Sequence, residues 1–169
     1  RTLNGHGFSA HVAHNAAFDS TFLSNLIPAR PWICTLRLAR RLFPDWEHHG
    51  NQVCRYKLKV NVPEAQGLAA HRALADAFVT AAVLRKLMTL VVGNPGFPQD
   101  VQGLAAFLDA PLLLKTIRFG KYKGQPWSAV PASYLSWMVG PQGMTDMDID
   151  TRHTAEHYLK AAGPVRGRR

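Results

Sequence analysis

The chain has 169 residues, 47% hydrophobic and 18% charged, which suits one globular domain of ordinary size or one with a small appendage. Twenty Lys and Arg stand against eleven Asp and Glu, a formal net charge of +9, which favours a polyanionic partner, nucleic acid before membrane. No apolar run approaches the roughly 20 residues that span a bilayer, and Cys34 and Cys54 sit at no ligand spacing, which argues against a disulfide framework or a cysteine-rich metal site and predicts reduced thiols in a cytoplasmic protein.

Taken in order, Phe8 to His14 alternates, with Phe8, Ala10 and Val12 on one face, and reads as a strand. Asn15 ends it. Phe18, Phe22, Leu23 and Leu26 follow at helical spacing, closed by Pro28. Trp32 to Thr35 reads as a short strand. Leu36, Leu38, Ala39, Leu42 and Phe43 give an amphipathic helix that stops at Pro44, with Arg37, Arg40 and Arg41 mostly on its wet side. Residues 51–58 suit a short helix. The strongest helix follows His71, where Ala77, Phe78, Ala81, Leu84 and Met88 recur at helical spacing. The Leu and Phe stripes are expected to be core.

Gly93-Asn-Pro-Gly-Phe-Pro98 is rich in turn residues and reads as a linker, residues 93–98, between a domain over 1–92 and a small module over 99–163. Within the module, Val101 to Leu108 reads as a helix. Residues 112–127 read as a bent hairpin around the basic, aromatic turn Gly120-Lys-Tyr-Lys-Gly124. Tyr134 to Met138 and Thr151 to Lys160 read as helices, and residues 164–169 as a basic tail. The strand–helix alternation argues for an α/β layered domain. Two strands are too few for an independently stable sheet, so sequence beyond this chain or a partner is expected to complete it.

Chemistry concentrates at His71-Arg-Ala-Leu-Ala-Asp76. On one helix His71 and Asp76 would lie about 140° apart, so His71 is placed in the loop before the helix and Asp76 in its first turn. There the carboxylate sits in the favourable field of the helix N-terminus, suited to a hard cation. A neutral imidazole beside such a cation can take a proton from bound water. The plain alternative is a loop histidine and an ordinary helix-start aspartate. Asp19 begins an earlier helix, so the two carboxylates can converge at one sheet edge and hold a divalent metal.

Ala13-His-Asn-Ala-Ala-Phe-Asp19 followed by His71-Arg-Ala-Leu-Ala-Asp76 resembles the second and third motifs of the DnaQ-like, DEDDh-type 3′→5′ exonucleases. The stretches Trp32 to Pro44 and Phe119 to Gly124 narrow the resemblance to the exodeoxyribonuclease X branch, including the small module after its nuclease domain. The resemblance implies a partial RNase H-like fold lacking its first strands, plus a small C-terminal α+β module. It implies His71 as general base, Asp76 as direct metal ligand and Asp19 as a supporting carboxylate. Asn15 and Phe18 match positions lining the terminal-nucleotide site; Arg72 is carried only as a phosphate contact. The implied cofactor is Mg²⁺ or Mn²⁺ in a two-metal site, and the implied partner is single-stranded DNA or a frayed 3′ end, with RNA the other option.

The family's first motif, Asp-x-Glu on the first strand, has no counterpart, because residues 1–18 contain no Asp or Glu. The expectation is an N-terminally truncated member that binds metal poorly and cleaves weakly or not at all. The alternative is a non-catalytic nucleic-acid-binding relative.

Lys121, Tyr122 and Lys123 form a second candidate. Lysines neutralise phosphates, a tyrosine offers a stacking face, and Trp127 could add another. The competing account is a hairpin turn with solvated lysines and a core tryptophan. His153-Thr-Ala-Glu-His157 matches a zinc-peptidase string with no accompanying third ligand, and reads as chance. His48–His49 and His11 with His14 are weak metal candidates, although His14 also suits the site wall.

Overall fold

The computed structural model describes residues 7–67 and 72–163. Strands β1 (His11–Ala13) and β2 (Trp32–Cys34) run parallel, in the register His11–Trp32, Val12–Ile33 and Ala13–Cys34. A parallel pair needs a crossover, and helix α1 (Ala16–Leu23) supplies it. Asn15 turns the chain from β1 into α1 in the left-handed conformation, φ 76°, which asparagine tolerates better than most residues. The N-terminus of α1, at buried Ala16, is tied to the sheet by sulfur: the Ala16 N–H donates to the Cys34 thiol at 3.4 Å.

Helix α2 (Thr35–Leu42) starts directly from β2, and its Leu38 and Ala39 are fully buried. Helix α3 (Asn51–Lys57) and a 3-10 turn at Pro63–Ala65 lead to α4 (Ala73–Val91), the longest element. One stripe of α4, made of Ala75, Val79, Ala82, Val83, Leu87 and Val91, forms the centre of the first core. Helix α5 (Val101–Asp109) adds Leu104, Ala105 and Leu108 to that core. Its N-terminus is capped by Asp100, whose carboxylate accepts the Gly103 N–H at 2.7 Å.

Contacts divide the chain into two units, Arg1–Ala110 and Pro111–Arg169. The second holds a 3-10 turn at Trp127–Ala129, α6 (Ala132–Val139) and α7 (Ile149–Ala161) around Leu114, Ile117, Trp127, Val130, Leu135, Met138 and Ala155. Its buried Asp150 accepts the Leu112 N–H, and Thr154 bridges Leu114 N–H and the Asp150 carbonyl, so the start of α7 holds residues 112–114.

Four expectations need correction. The Gly93–Pro98 turn lies inside the first unit, because α5 beyond it packs into the first core; the division falls at Ala110/Pro111. The hairpin over 112–127 is one antiparallel bridge, Thr116–Pro126, rather than two strands, since Pro126 cannot donate to a ladder. Phe18, Phe22 and Leu26 are not core: they are 63%, 62% and 75% exposed, and α1 buries only Ala16. Arg37 and Arg41 do not form a solvated face. Arg37 donates to the Ala110 carbonyl at 2.7 Å; Arg41 donates to the Phe107 and Ala110 carbonyls and lies 4.1 Å from the Phe107 ring centre. Both satisfy carbonyls that the end of α5 leaves without helical partners.

Candidate active site

A cleft of about 820 Å³ opens in the first unit, between the end of β1, the start of α1, the start of α3 and one face of α4. Its α4 wall is a helical stripe: Ala73, Asp76, Ala77, Thr80, Ala81, Leu84 and Arg85. This stripe differs from the core stripe of the same helix. Ala77 and Ala81 face outward into the cleft, while Phe78, Leu84 and Met88 of the same periodic set pack against the first core.

Asp76 sits in the first turn of α4, after an N-terminal cap at Arg72 with extended backbone. Its Oδ1 accepts from Gln52 Nε2 at 3.3 Å. Asn51 braces the same turn, donating to the Asp76 carbonyl at 3.2 Å and to Thr80 Oγ1 at 3.0 Å. Asp19 reaches the cleft from the first turn of α1. Two carboxylates far apart in sequence therefore face one cavity.

His14 closes the inner wall. Its Nδ1 is 2.9 Å from Thr35 Oγ1, at the junction of β2 and α2. Burial holds its pKa below the ordinary imidazole value of 6.5. The nearby His49 carbonyl and the Asp76 carboxylate oppose that shift, and the Arg40 guanidinium reinforces it. Nε2 is buried and has no hydrogen bond of good geometry among the described residues, although the His49 carbonyl is near. The balance favours neutral imidazole.

Of the residues expected at a site, Asp19 and Asp76 both line the cleft. Arg72 is exposed at the mouth of α4. Asn15 and Phe18 do not line the cleft: Asn15 is spent on the left-handed turn, and Phe18 packs edge-on against Phe22 at 5.1 Å. Lys121, Tyr122 and Lys123 belong to the second unit. His71 lies outside the described residues. Sequence reasoning missed Asn51, Gln52, Thr80 and Arg85. Thr80 and Arg85 were readable by continuing the helical stripe from Asp76, whereas nothing in the sequence couples Asn51 and Gln52 to it.

Hard divalent cations take oxygen ligands, and two carboxylates are the right chemistry. Among the described residues, however, no three His, Cys, Asp or Glu side chains come together. The pair suits an ion that keeps most of its own water, as Mg²⁺ does. Other described histidines are engaged elsewhere: His11 Nε2 with the Pro28 carbonyl, His49 Nε2 with the Phe43 carbonyl, and exposed His48 beside Glu47. His153 and His157 lie on α7 with no third donor among the described residues. Both cysteines are free and buried; burial raises the Cys54 thiol to about 11, so it is inert near neutrality.

No protein-family model matches the chain. Exodeoxyribonuclease 10 of Escherichia coli, in two strains, is 36% identical over 161 residues, covering 92% of this chain and 67% of the relative. The chain belongs to the exodeoxyribonuclease 10 family. A solved structure, exonuclease X in complex with 5′ overhanging duplex DNA, is 35% identical and covers 61% of this chain and 57% of its own, with a TM-score of 0.47. The chain thus spans about two thirds of the curated exodeoxyribonuclease 10 relatives and less of that solved chain.

Proposed function

We propose that the cleft serves a metal-dependent 3′→5′ exonuclease acting on the ends of DNA, within a partial RNase H-like fold. Asp19 and Asp76 facing one cavity is the observation that carries this reading; membership of the exodeoxyribonuclease 10 family agrees with it. Asp19 and Asp76 would hold Mg²⁺ or Mn²⁺, which stabilises charge developing on the attacking and leaving oxygens of a phosphodiester. Gln52 and Asn51 fix the Asp76 turn, so the carboxylate reaches the ion without first losing freedom. Arg85 on the wall and Arg72 at the mouth of α4 supply positive charge for the strand's phosphates. His71, just upstream of α4, is assigned proton acceptance from water by its motif. Asn15 and Phe18, which lie outside the cleft lining, are kept as terminal-nucleotide contacts on the motif alone. Lys121, Tyr122 and Lys123 guide the strand, single-stranded DNA or a frayed 3′ end before RNA. A cytoplasmic location completes the reading; no helix among the described residues is long and apolar enough to cross a membrane.

Residues 1–18 hold no counterpart of the family's Asp-x-Glu motif, and on that ground the reading is weak cleavage by this chain. A nucleic-acid-binding role without turnover is the second reading. The experiment is an assay of the 169-residue chain with Mg²⁺ or Mn²⁺ on 5′-labelled single-stranded DNA, paired with calorimetric titration of Mn²⁺. Weak 3′-end shortening, with weak Mn²⁺ binding abolished in Asp19→Ala and Asp76→Ala, is expected. Robust shortening lost in Asp76→Ala would refute weak activity; cleavage or Mn²⁺ binding indifferent to both substitutions removes the cleft from the chemistry.

A further inference from the structure

The second unit carries an aromatic ladder that the cleft does not use. Tyr122 meets Tyr134 edge-on, ring centres 4.8 Å apart, and Tyr134 meets Trp137 at 5.3 Å with planes tilted by 40°. Tyr134 and Trp137 lie one turn apart on α6, so the helix itself aligns them. Trp127 is buried in the core of the unit, whereas Trp137 is 49% exposed. Half-exposed Trp137, at the end of this run of edge-on and tilted rings, leaves much of its aromatic surface open to solvent.

The basic turn is fitted to this ladder. Gly120 has φ +66°, which strains any residue with a side chain, and its backbone lies close enough to α6 that a β-carbon there would fall 2.7 Å from the Tyr134 hydroxyl. The turn then places the Lys121 ammonium 5.6 Å from the Tyr122 ring centre, with Lys121 and Lys123 both exposed. Residues 111–169 contain nine Lys and Arg against four Asp and Glu, one of which, Asp150, is fully buried. Rings with open faces and flanking cations match what single strands present: bases that stack on any aromatic face, and phosphates.

We propose that Tyr122, Tyr134 and Trp137 form a stacking platform for the bases of single-stranded DNA, with Trp137 as its open end and Lys121 and Lys123 neutralising the adjoining phosphates. The partner class rests on the DNA-end reading above, but the platform operates without metal and without cleavage. It holds the strand through its bases and gives the second unit a binding role of its own.

The test is anisotropy titration of the full chain in EDTA with labelled oligothymidylate, and with a strand of the same phosphate number lacking bases. Trp137→Ala should weaken binding of the intact strand roughly tenfold, with its salt dependence unchanged. Trp137→Phe should restore most of the affinity. The abasic strand should bind the natural chain about as weakly as the intact strand binds Trp137→Ala. Oligothymidylate should also shield Trp137 from iodide quenching, an effect absent in Trp137→Phe, which decides the matter even if Trp137→Ala does not fold. Equal affinity for intact and abasic strands, or Trp137→Ala within twofold of the natural chain, overturns the platform. EDTA separates this outcome from failure of the nuclease reading, which would leave these affinities untouched.

Discussion

His14 has a neutral, buried imidazole between a strand and a cleft, so its protonation is tied to folding. Its folded pKa lies below the unfolded value of 6.5, and the unfolded chain therefore binds more protons as pH falls. The stability it contributes is present above pH 6.5 and is lost as pH drops through the folded pKa. Arg40 beside it sharpens the loss and Asp76 softens it. His14→Gln keeps a hydrogen-bonding partner for Thr35 and cannot be protonated. Melting temperatures between pH 5 and 7.5 should fall less steeply in His14→Gln than in the natural chain; parallel curves would show that His14 does not set the slope. The site was partly legible at this scale. Asp19 and Asp76 stood out as carboxylates in the first turns of helices, and both line the cleft. Asn51 and Gln52 did not, because they act through a fold that places α3 over the first turn of α4.

Among the elements, α4 shows why periodicity recovers a helix without fixing its most deeply buried stripe. A helix with alanines and aliphatics on several sides has no unique apolar stripe, so sequence alone cannot choose between the Ala77–Ala81 side and the Val79–Val83–Leu87 side. Tertiary context chose the latter, leaving the former as cleft floor. The same limit exposed α1: spacing shows that Phe18 and Phe22 share a face, not that anything covers it. Helix α2 shows the converse, since its arginines serve α5. Arg41→Ala should lower the urea midpoint by an amount equivalent to about 1–2 kcal/mol, through the Phe107 carbonyl left without its charged donor and the lost contact with the Phe107 ring, while Arg37 still serves the Ala110 carbonyl. A midpoint unchanged within error would mean the arginine is replaced by water at no cost.

For the whole molecule, the net charge of +9 sets long-range attraction, while the two units distribute its use. Binding of single-stranded DNA should weaken with salt. Lys121→Ala/Lys123→Ala should make the log–log slope shallower by about 1.4, from two phosphates at roughly 0.7 each. An unchanged slope would take the basic turn out of the binding surface. The α/β order, both short strands and most helices were readable because turn residues punctuate them. The unit boundary was not, because Gly93–Pro98 carries every sign of a linker while the apolar residues of α5 beyond it complete the first core. Local chemistry ends an element; packing ends a domain.

The bond from the Ala16 amide to the Cys34 sulfur has a practical corollary. A thiol reagent can reach Cys34 only when α1 swings off the strand beneath it, so the sulfur is a clock for that opening. In a Cys54→Ser background, the rate of dye uptake at Cys34 should be slow, independent of dye concentration once uptake outpaces reclosure, and faster in Asn15→Ala, where the left-handed turn is strained. Uptake as fast as by a free peptide thiol would mean that the helix never stays shut.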